Sequence, residues 1–600
     1  MIRKKGNGLL KTISFFIGIC LISLMLTSAA NSVQLCPDGE DAINERVSLC
    51  SVLDFPETFD LRDVDGKNFV SSVKSQSGGT CWTHGVMAAM ESNLLVTGMW
   101  DSVGEAGEPN LAEYHLDWWN GFNSFNNDDI TGSGGLEVHY GGDYRVASAY
   151  LTRGDGAVRD SDGQSYNDAP ERMDSSYHYY YPREIEWYTV GENLENIDDI
   201  KQALMTHGAV GTCVKAFNLD SNWTHFYDRS EPPNHAVTII GWDDNKETQA
   251  SDPGAWLVKN SWGEGWGLDG YFWISYYDAH AGHHPEMGAI SFQNVEPLSY
   301  NYIYYHDYHG WRDTKEDVTE AINKFIADDN HVLNAVSFFT AADDVSYSVG
   351  IYDEFDGYEL SDERAVEQGV IDYIGFHTID LSNPVELTAN DDFYIYLNLS
   401  SGGHPFDRTS EVPVLLGAAM MGTVVESRAQ EDQSYYKTEE GDWQDLTADD
   451  ETANFCIKGL VSKQSDLTVA GDIQLSDVKP GSVHNVNFTI ENTGVSWSKL
   501  QWKIADIPSW GEWTFSLQEN DDGLFPEQNS QVVEVSVTVP DEEEQTFDGT
   551  IKIENVDFPS DVETISVSIS TPKSRSLFSL PLLDMIDSFI TQFRMIWSFP

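Results

Sequence analysis

The sequence predicts a multidomain chain in which a mixed α+β domain precedes two all-β sandwiches, and three observations predict it. The 600 residues are more than one core organises, at roughly 100–200 residues per domain. From Phe55 to about Val295 the chain is rich in Gly, Trp and Tyr, and helical and strand-like stretches mix. From about Tyr300 the texture turns to short alternating strands, such as Val345/Tyr347/Val349/Ile351, Phe393/Ile395/Leu397 and Phe455/Ile457, parted by Gly, Asp and Asn turns.

Taken in order, residues 1–30 read as a secretory signal. Arg3, Lys4, Lys5 and Lys11 form the positive region, Ile13–Leu26 the apolar region, and Ser28-Ala29-Ala30 the small residues before the cut. The protein is therefore expected to be secreted and extracellular, or held at the cell surface. An uncleaved membrane anchor is the alternative, because Thr12–Ala30 is just long enough to span. Residues 31–53 are a short polar pro or linker segment, 54–295 the mixed domain, and 300–461 the first sandwich. Ser462–Asp466 looks like a linker. Residues 466–571 form the second sandwich, with Val486/Phe488/Ile490, Val533/Val535/Val537 and Ile565/Val567/Ile569 in period two; its length fits an immunoglobulin-like domain. Residues 572–600 carry Leu582, Ile586, Phe589, Phe593 and Ile596 at helical spacing, an amphipathic tail. Five cysteines remain after the cut, Cys36, Cys50, Cys81, Cys213 and Cys456, an odd number in an oxidising compartment. No spacing fixes their pairing, and Cys81 is the one expected to stay free.

Ninety-eight acidic residues against 34 basic ones give a net charge of −64. A phosphate backbone needs a basic surface to displace its counterions, so nucleic acid is excluded as a partner. A solvated acidic surface is the simplest reading of the charge.

The chemistry concentrates in three segments. Gln76-Ser77-Gly78-Gly79-Thr80-Cys81-Trp82 is a Gly-rich turn entering a helix, with Trp82, Val86, Ala89 and Met90 on one face. Cys81 would stand at the helix start, where unpaired amides favour a thiolate. Asn234-His235-Ala236-Val237-Thr238-Ile239-Ile240-Gly241-Trp242 places His235 at the head of an apolar strand, and Ala255-Trp256-Leu257-Val258-Lys259-Asn260 ends a second strand in Asn260. Facing strands would bring the Asn260 amide to one imidazole nitrogen and leave the other for the thiol, which is nucleophile, base and orienter.

Together these motifs resemble the papain-like cysteine peptidases. Cys-to-His spacing is 154 residues and His-to-Asn 25. Phe55-Pro56-Glu57-Thr58-Phe59-Asp60-Leu61-Arg62 resembles the start of the mature enzyme, and Lys259–Tyr276 is the strongest local match. The region from Tyr300 to Val461 is similar to the lectin-like β-domain that accompanies such peptidases in prokaryotes. The resemblance implies an α+β papain-like catalytic domain followed by a lectin-like and then an immunoglobulin-like sandwich. It implies Cys81 as nucleophile, His235 as general acid/base, Asn260 as its orienter, and Gln76 with the Cys81 amide as the oxyanion hole. Trp262 would shield the His235–Asn260 hydrogen bond, with Trp82 supporting the site, and Gly141-Gly142, ahead of a helical Asp143–Leu151, would pair with substrate main chain. Protein or peptide substrates are the implied partners, with a glycan or cell-surface ligand for the β-domains and no cofactor. A surface adhesion protein using the fold as a scaffold, or a Cys-dependent acyl transferase, are the rivals.

Departures are plain. Gly78 stands where the family usually has a cysteine, the Gln76–Cys81 interval is one residue short, and the segment before Phe55 is too short for the family's large propeptide. His84, a second imidazole near Cys81, is expected at the surface. His280, His283, His284 and Glu286 lack zinc spacing and read as an exposed loop.

Overall fold

The computed structural model describes residues 55–129, 134–412, 416–417 and 423–573. The signal, the 31–53 segment with Cys36 and Cys50, and the tail beyond Lys573 lie outside the described residues. The first domain is built around the helix Cys81–Thr97. Small and apolar residues occupy its whole circumference, and Trp82, Val86, Met87, Ala89, Met90 and Leu94 have no exposed surface. A helix apolar all round must be enclosed, which is why the single face expected of it is instead a full girdle. It stops at Gly98, whose φ of 71° is the left-handed cap that glycine adopts without penalty.

A 12-stranded sheet, counted among the described residues, packs against this helix. Across the first domain its strands run Tyr180–Tyr188, Ala289–Pro297, Val210–Val214, His235–Asp243, Ala255–Lys259, Tyr271–Ser275 and Thr224–His225. The His235 strand is a nearly unbroken apolar run because both its faces are covered. Thr58–Asp60 adds to its edge, and there Gly241 is obligatory: a Cβ would stand 2.2 Å from the Phe59 carbonyl oxygen.

The sheet does not end with the domain. Gly375–Leu387 pairs with Tyr180–Tyr188 through Gly375↔Glu186, Phe376↔Ile185 and His377↔Glu184. Beyond it lie His331–Thr340, Ile457–Ser462 and Tyr300–Tyr304. A six-stranded sheet, from Leu360–Ile371 to Trp443–Asp445, shares with these strands a core that includes Val336, Phe338, Val349, Ile351, Ile395 and Ile457. Residues 467–570 form sheets of four and five strands around a separate core containing Phe488, Trp502, Val535, Ile551 and Ile565.

The expected linker is not loose. Ser462 ends a strand, the Lys463 amide donates to Ser299 O, and Ser465 is buried. Arg183 pairs with Asp380 at 2.8 Å, and Lys499 pairs with Glu296 at 2.7 Å, so ion pairs link all three units. Cys81, Cys213 and Cys456 are buried free thiols.

The junction of the first two domains is sensitive at Gly375, where a Cβ would stand 2.2 Å from the Ile185 carbonyl oxygen. Overpacking of this kind costs about 1–3 kcal/mol. Gly375→Val is expected to lower the chemical denaturation midpoint and to let the two domains unfold in separate steps. A midpoint and slope equal to those of the parent chain would contradict the junction described here.

Candidate active site

Two antiparallel strands place a histidine beside an asparagine. His235–Asp243 pairs with Ala255–Lys259 through Thr238↔Lys259 and Ile239↔Val258, which carries Asn260, one residue past the second strand, to the head of the first. His235 Nε2 lies 2.8 Å from Asn260 Oδ1, and the Ser261 backbone amide donates to the same oxygen at 2.9 Å. A backbone N–H can meet only the oxygen of an amide, so the Asn260 side chain has one orientation. His235 Nε2 therefore carries the proton, and Nδ1 is left with its lone pair.

Cys81 opens the central helix, 2% exposed. Burial pushes its thiol up to about 11, against the backbone amides of Ala236, Trp82 and Cys81 itself. The Ala236 amide in that set places the sulfur beside the His235–Ala236 corner. Burial likewise pulls the His235 imidazole down to about 4, against its bond to Asn260. The helix start favours a thiolate, and burial works against it on Cys81 as it works against an imidazolium on His235.

Trp262 is 40% exposed and its ring lies 4.9 Å from that of His235, on the solvent side of the buried His235–Asn260 bond. Phe217, which nothing in the local sequence singled out, packs edge-to-face on both rings at 5.4 Å from His235 and 5.0 Å from Trp262. Trp82 is fully buried beneath. The Gln76 loop is pinned by its own backbone: the Gln76 amide donates to Ser261 O, and Ser75 bridges Trp262. Ser261 Oγ donates to Gln76 Oε1 at 2.6 Å, and Gln76 Nε2 gives one proton to Gly78 O at 3.0 Å, which leaves its second proton for another acceptor.

Gly141 and Gly142 form a buried two-residue strand. The Gly79 amide donates to His139 O at 2.7 Å, tying the segment before that strand to the turn before Cys81. Gly142 has no room for a side chain, because a Cβ would meet the Trp82 indole at 2.7 Å. Asp143 follows as a true N-cap, its carboxylate accepting from the Val146 amide, and the helix runs Tyr144–Thr152.

The sequence reading missed a buried charge cluster behind the site. Lys74 Nζ lies 2.6 Å from both Glu91 and Glu113, and Lys259 Nζ donates to Ser71, which in turn donates to Glu91. Burial opposes the charge on Lys74, but Glu113 and Glu91 outweigh it and hold the amine above its usual value; burial brings Lys259 down to about 8. His84 belongs to this region and not to the surface: it is 6% exposed, its Nδ1 2.8 Å from Thr80 O, and burial lowers its pKa. The helix that carries it is enclosed on all sides, which overrides the expectation of a surface place. The loop at His280–Glu286 is also packed, with His280 buried and His283, His284 and Glu286 half-buried. Elsewhere Asp129, His309 and Asp407 bring ligand atoms within 4.8 Å of one another, and each already has a protein partner: Arg428 N, Ser427 Oγ with Gly121 O, and His309 N with Ser427 Oγ respectively.

Residues 129–289 match the family described as "Papain family cysteine protease", and residues 303–461 match "Lectin like domain". The first match includes His235, Asn260 and Trp262; Cys81 and Gln76 lie before it and rest on their own motif. Cathepsin Q of Rattus norvegicus is 28% identical over 244 residues, 37% of this chain and 62% of that protein. Cathepsin O of Homo sapiens is 27% identical over 227 residues, 36% and 60% respectively. The chain thus spans about three-fifths of the length of these curated relatives. Among solved structures, the cysteine protease and lectin-like domains of Cwp84, a surface layer associated protein of Clostridium difficile, match with a TM-score of 0.55 at 21% identity. The match covers 69% of this chain and 90% of that one, and a clostridial Cwp84 structure after propeptide cleavage matches equally well by TM-score. These likenesses show the fold of the first two domains.

Lys74 is the cation between two buried carboxylates, and removing one partner of such a group costs about 3–5 kcal/mol. Lys74→Met is expected to destabilise the chain by that order in equilibrium denaturation. A loss below about 1 kcal/mol, the worth of a surface ion pair, would contradict the burial of the cluster.

Proposed function

We propose, for a chain that carries a papain-family cysteine protease domain followed by a lectin-like domain, that it hydrolyses peptide bonds as a secreted cysteine endopeptidase. The observation that carries this reading is the buried His235–Asn260 hydrogen bond at the corner that receives the Cys81 thiol. A proton moved from Cys81 to His235 stays within the pair, so the ion pair forms without a net charge entering the buried site. The thiolate then attacks the scissile carbonyl, the Cys81 amide and the spare Gln76 proton receive the oxyanion, and His235 protonates the leaving amine. Water activated by His235 hydrolyses the thioester and restores the thiol. Trp262 keeps solvent from the His235–Asn260 bond, and Gly141-Gly142 offers backbone groups to an extended substrate.

Secretion rests on the residues 1–30 signal. The third unit supports an immunoglobulin-like reading: its sheets run Leu467–Ala470, Val483–Asn492, Gln531–Thr538, Glu512–Phe515 and Ile473–Leu475, Val562–Ser570, Thr546–Asn555, Leu500–Asp506, Glu519–Leu524, the arrangement of a Greek-key sandwich. We assign the β-domains to holding the enzyme at a glycan or cell-surface ligand.

Hydrolysis of a mixed peptide library under reducing conditions tests the reading. Cys81→Ala is expected to abolish cleavage, and Gln76→Ala to lower kcat by about 10²–10³. Retention of cleavage by Cys81→Ala would refute the assignment. The pH dependence is set by the same pair. Below the His235 value of about 4 the imidazole takes a second proton and cannot accept the thiol's; above the Cys81 value of about 11 the pair has lost its shared proton. The acid limb of kcat/KM is therefore expected below pH 5, and a limb near 6.5, the ordinary imidazole value, would show that the pair is solvated in the working enzyme.

A further inference from the structure

The groove that would seat a substrate already holds a strand of the same chain. Gly141 and Gly142 pair antiparallel with Gly417 and Leu416, two residues of the lectin-like domain. The Leu416–Gly417 strand also comes within 8 Å, Cα to Cα, of both the Cys81–Thr97 helix and the His235–Asp243 strand. It therefore lies against the two elements that carry Cys81 and His235, with its backbone on the glycine edge, the position an extended peptide takes when it is added to an exposed strand.

The flanks hold this strand in place. Ser410–Val412 pairs with Thr423–Val425, so the chain leaves and re-enters the lectin-like domain as a two-stranded stem. Val412 and Val425 are 0% and 2% exposed and belong to the same core as Cys81 and Trp82. Hydrogen bonds join the re-entering side to the first domain: Thr423 Oγ1 to Gly135 O at 3.3 Å, Asn127 Nδ2 to Glu426 O at 3.1 Å, and the Arg428 amide to Asp129 Oδ2 at 3.0 Å. Cys81 at 2% and His235 at 4% exposure are as covered as core residues, which a groove open to peptides does not explain.

We propose that the Leu416–Gly417 strand of the lectin-like domain is an internal competitor for the peptide-binding groove, taking the substrate's place on Gly141–Gly142 and holding the enzyme inactive until it leaves. The proposal rests on the peptidase reading above. A peptide substrate must then displace main chain that is covalently attached, and apparent affinity falls by the fraction of molecules with the groove free.

The test uses the mature full-length chain and reads two signals. Leu416→Pro/Gly417→Pro removes both strand amides, and proline rings crowd a paired neighbour. Alkylation of Cys81 by iodoacetamide, followed by peptide mass mapping, is expected to run at least about tenfold faster in this variant, with a matching rise in kcat/KM on the peptide library. Equal alkylation rates and equal kcat/KM in parent and variant would overturn the proposal while leaving the peptidase reading intact. Faster alkylation without hydrolysis in either would uphold the strand and refute the peptidase.

Should the variant not fold, hydrogen exchange on the unaltered protein decides. Labelling the groove with a peptidyl chloromethyl ketone is expected to release the Leu416 and Gly417 amides to exchange, and unchanged protection in the labelled protein would overturn the proposal.

Discussion

Pairing of Gly375–His377 with Glu184–Glu186 makes two domains share a sheet, and the rest of the arrangement depends on it. On one side that sheet carries His235 and the strand leading to Asn260; on the other it carries half of the lectin-like core. Backbone ladders have a fixed spacing between strands, so the two domains cannot hinge at this seam without breaking hydrogen bonds. The stem at Ser410–Val412 and Thr423–Val425 is aimed from that fixed base. Its position over the first domain is thus a property of the sheet as well as of the few bonds at its tip.

The site itself is governed by exclusion of water. Burial disfavours a charge on Cys81 and on His235 alike, and the bond to Asn260 fixes the imidazole tautomer. Behind them Glu113 and Glu91 hold the Lys74 amine above its ordinary value, while Lys259, bonded to the Ser71 hydroxyl, is brought down by burial, in a layer that also holds His84. The contrast between the two lysines is instructive: Lys74, in contact with two carboxylates, overcomes burial, and Lys259, in contact with a hydroxyl, does not.

Cys81, His235 and Asn260 were legible as candidates because each motif couples a reactive residue to an element signal: a glycine turn before a helix, a polar residue heading a β-branched run, another ending one. Strand alternation located the β-domains for the same reason. What escaped were features that arise from tertiary placement alone. His84 sits one helical turn from Cys81, and only the enclosure of the helix decides that it is buried. Lys74, Glu91 and Glu113 are spread over forty residues of ordinary charged sequence. Phe217 reaches His235 from a loop with no pattern of its own. The pairing of Leu416–Gly417 with Gly141–Gly142 joins positions 274 and 276 residues apart, far beyond anything a local pattern can report.

The shared sheet also bears on what a fragment of this protein would be. Cut from its neighbour, the first domain would present the Glu184–Glu186 stretch of Tyr180–Tyr188 as a bare edge that had lost its ladder, with Trp187 beside it. An unprotected edge invites the strand of another molecule. The lectin-like domain is in that sense a cover for the edge of the first, so the folding unit extends to Val461.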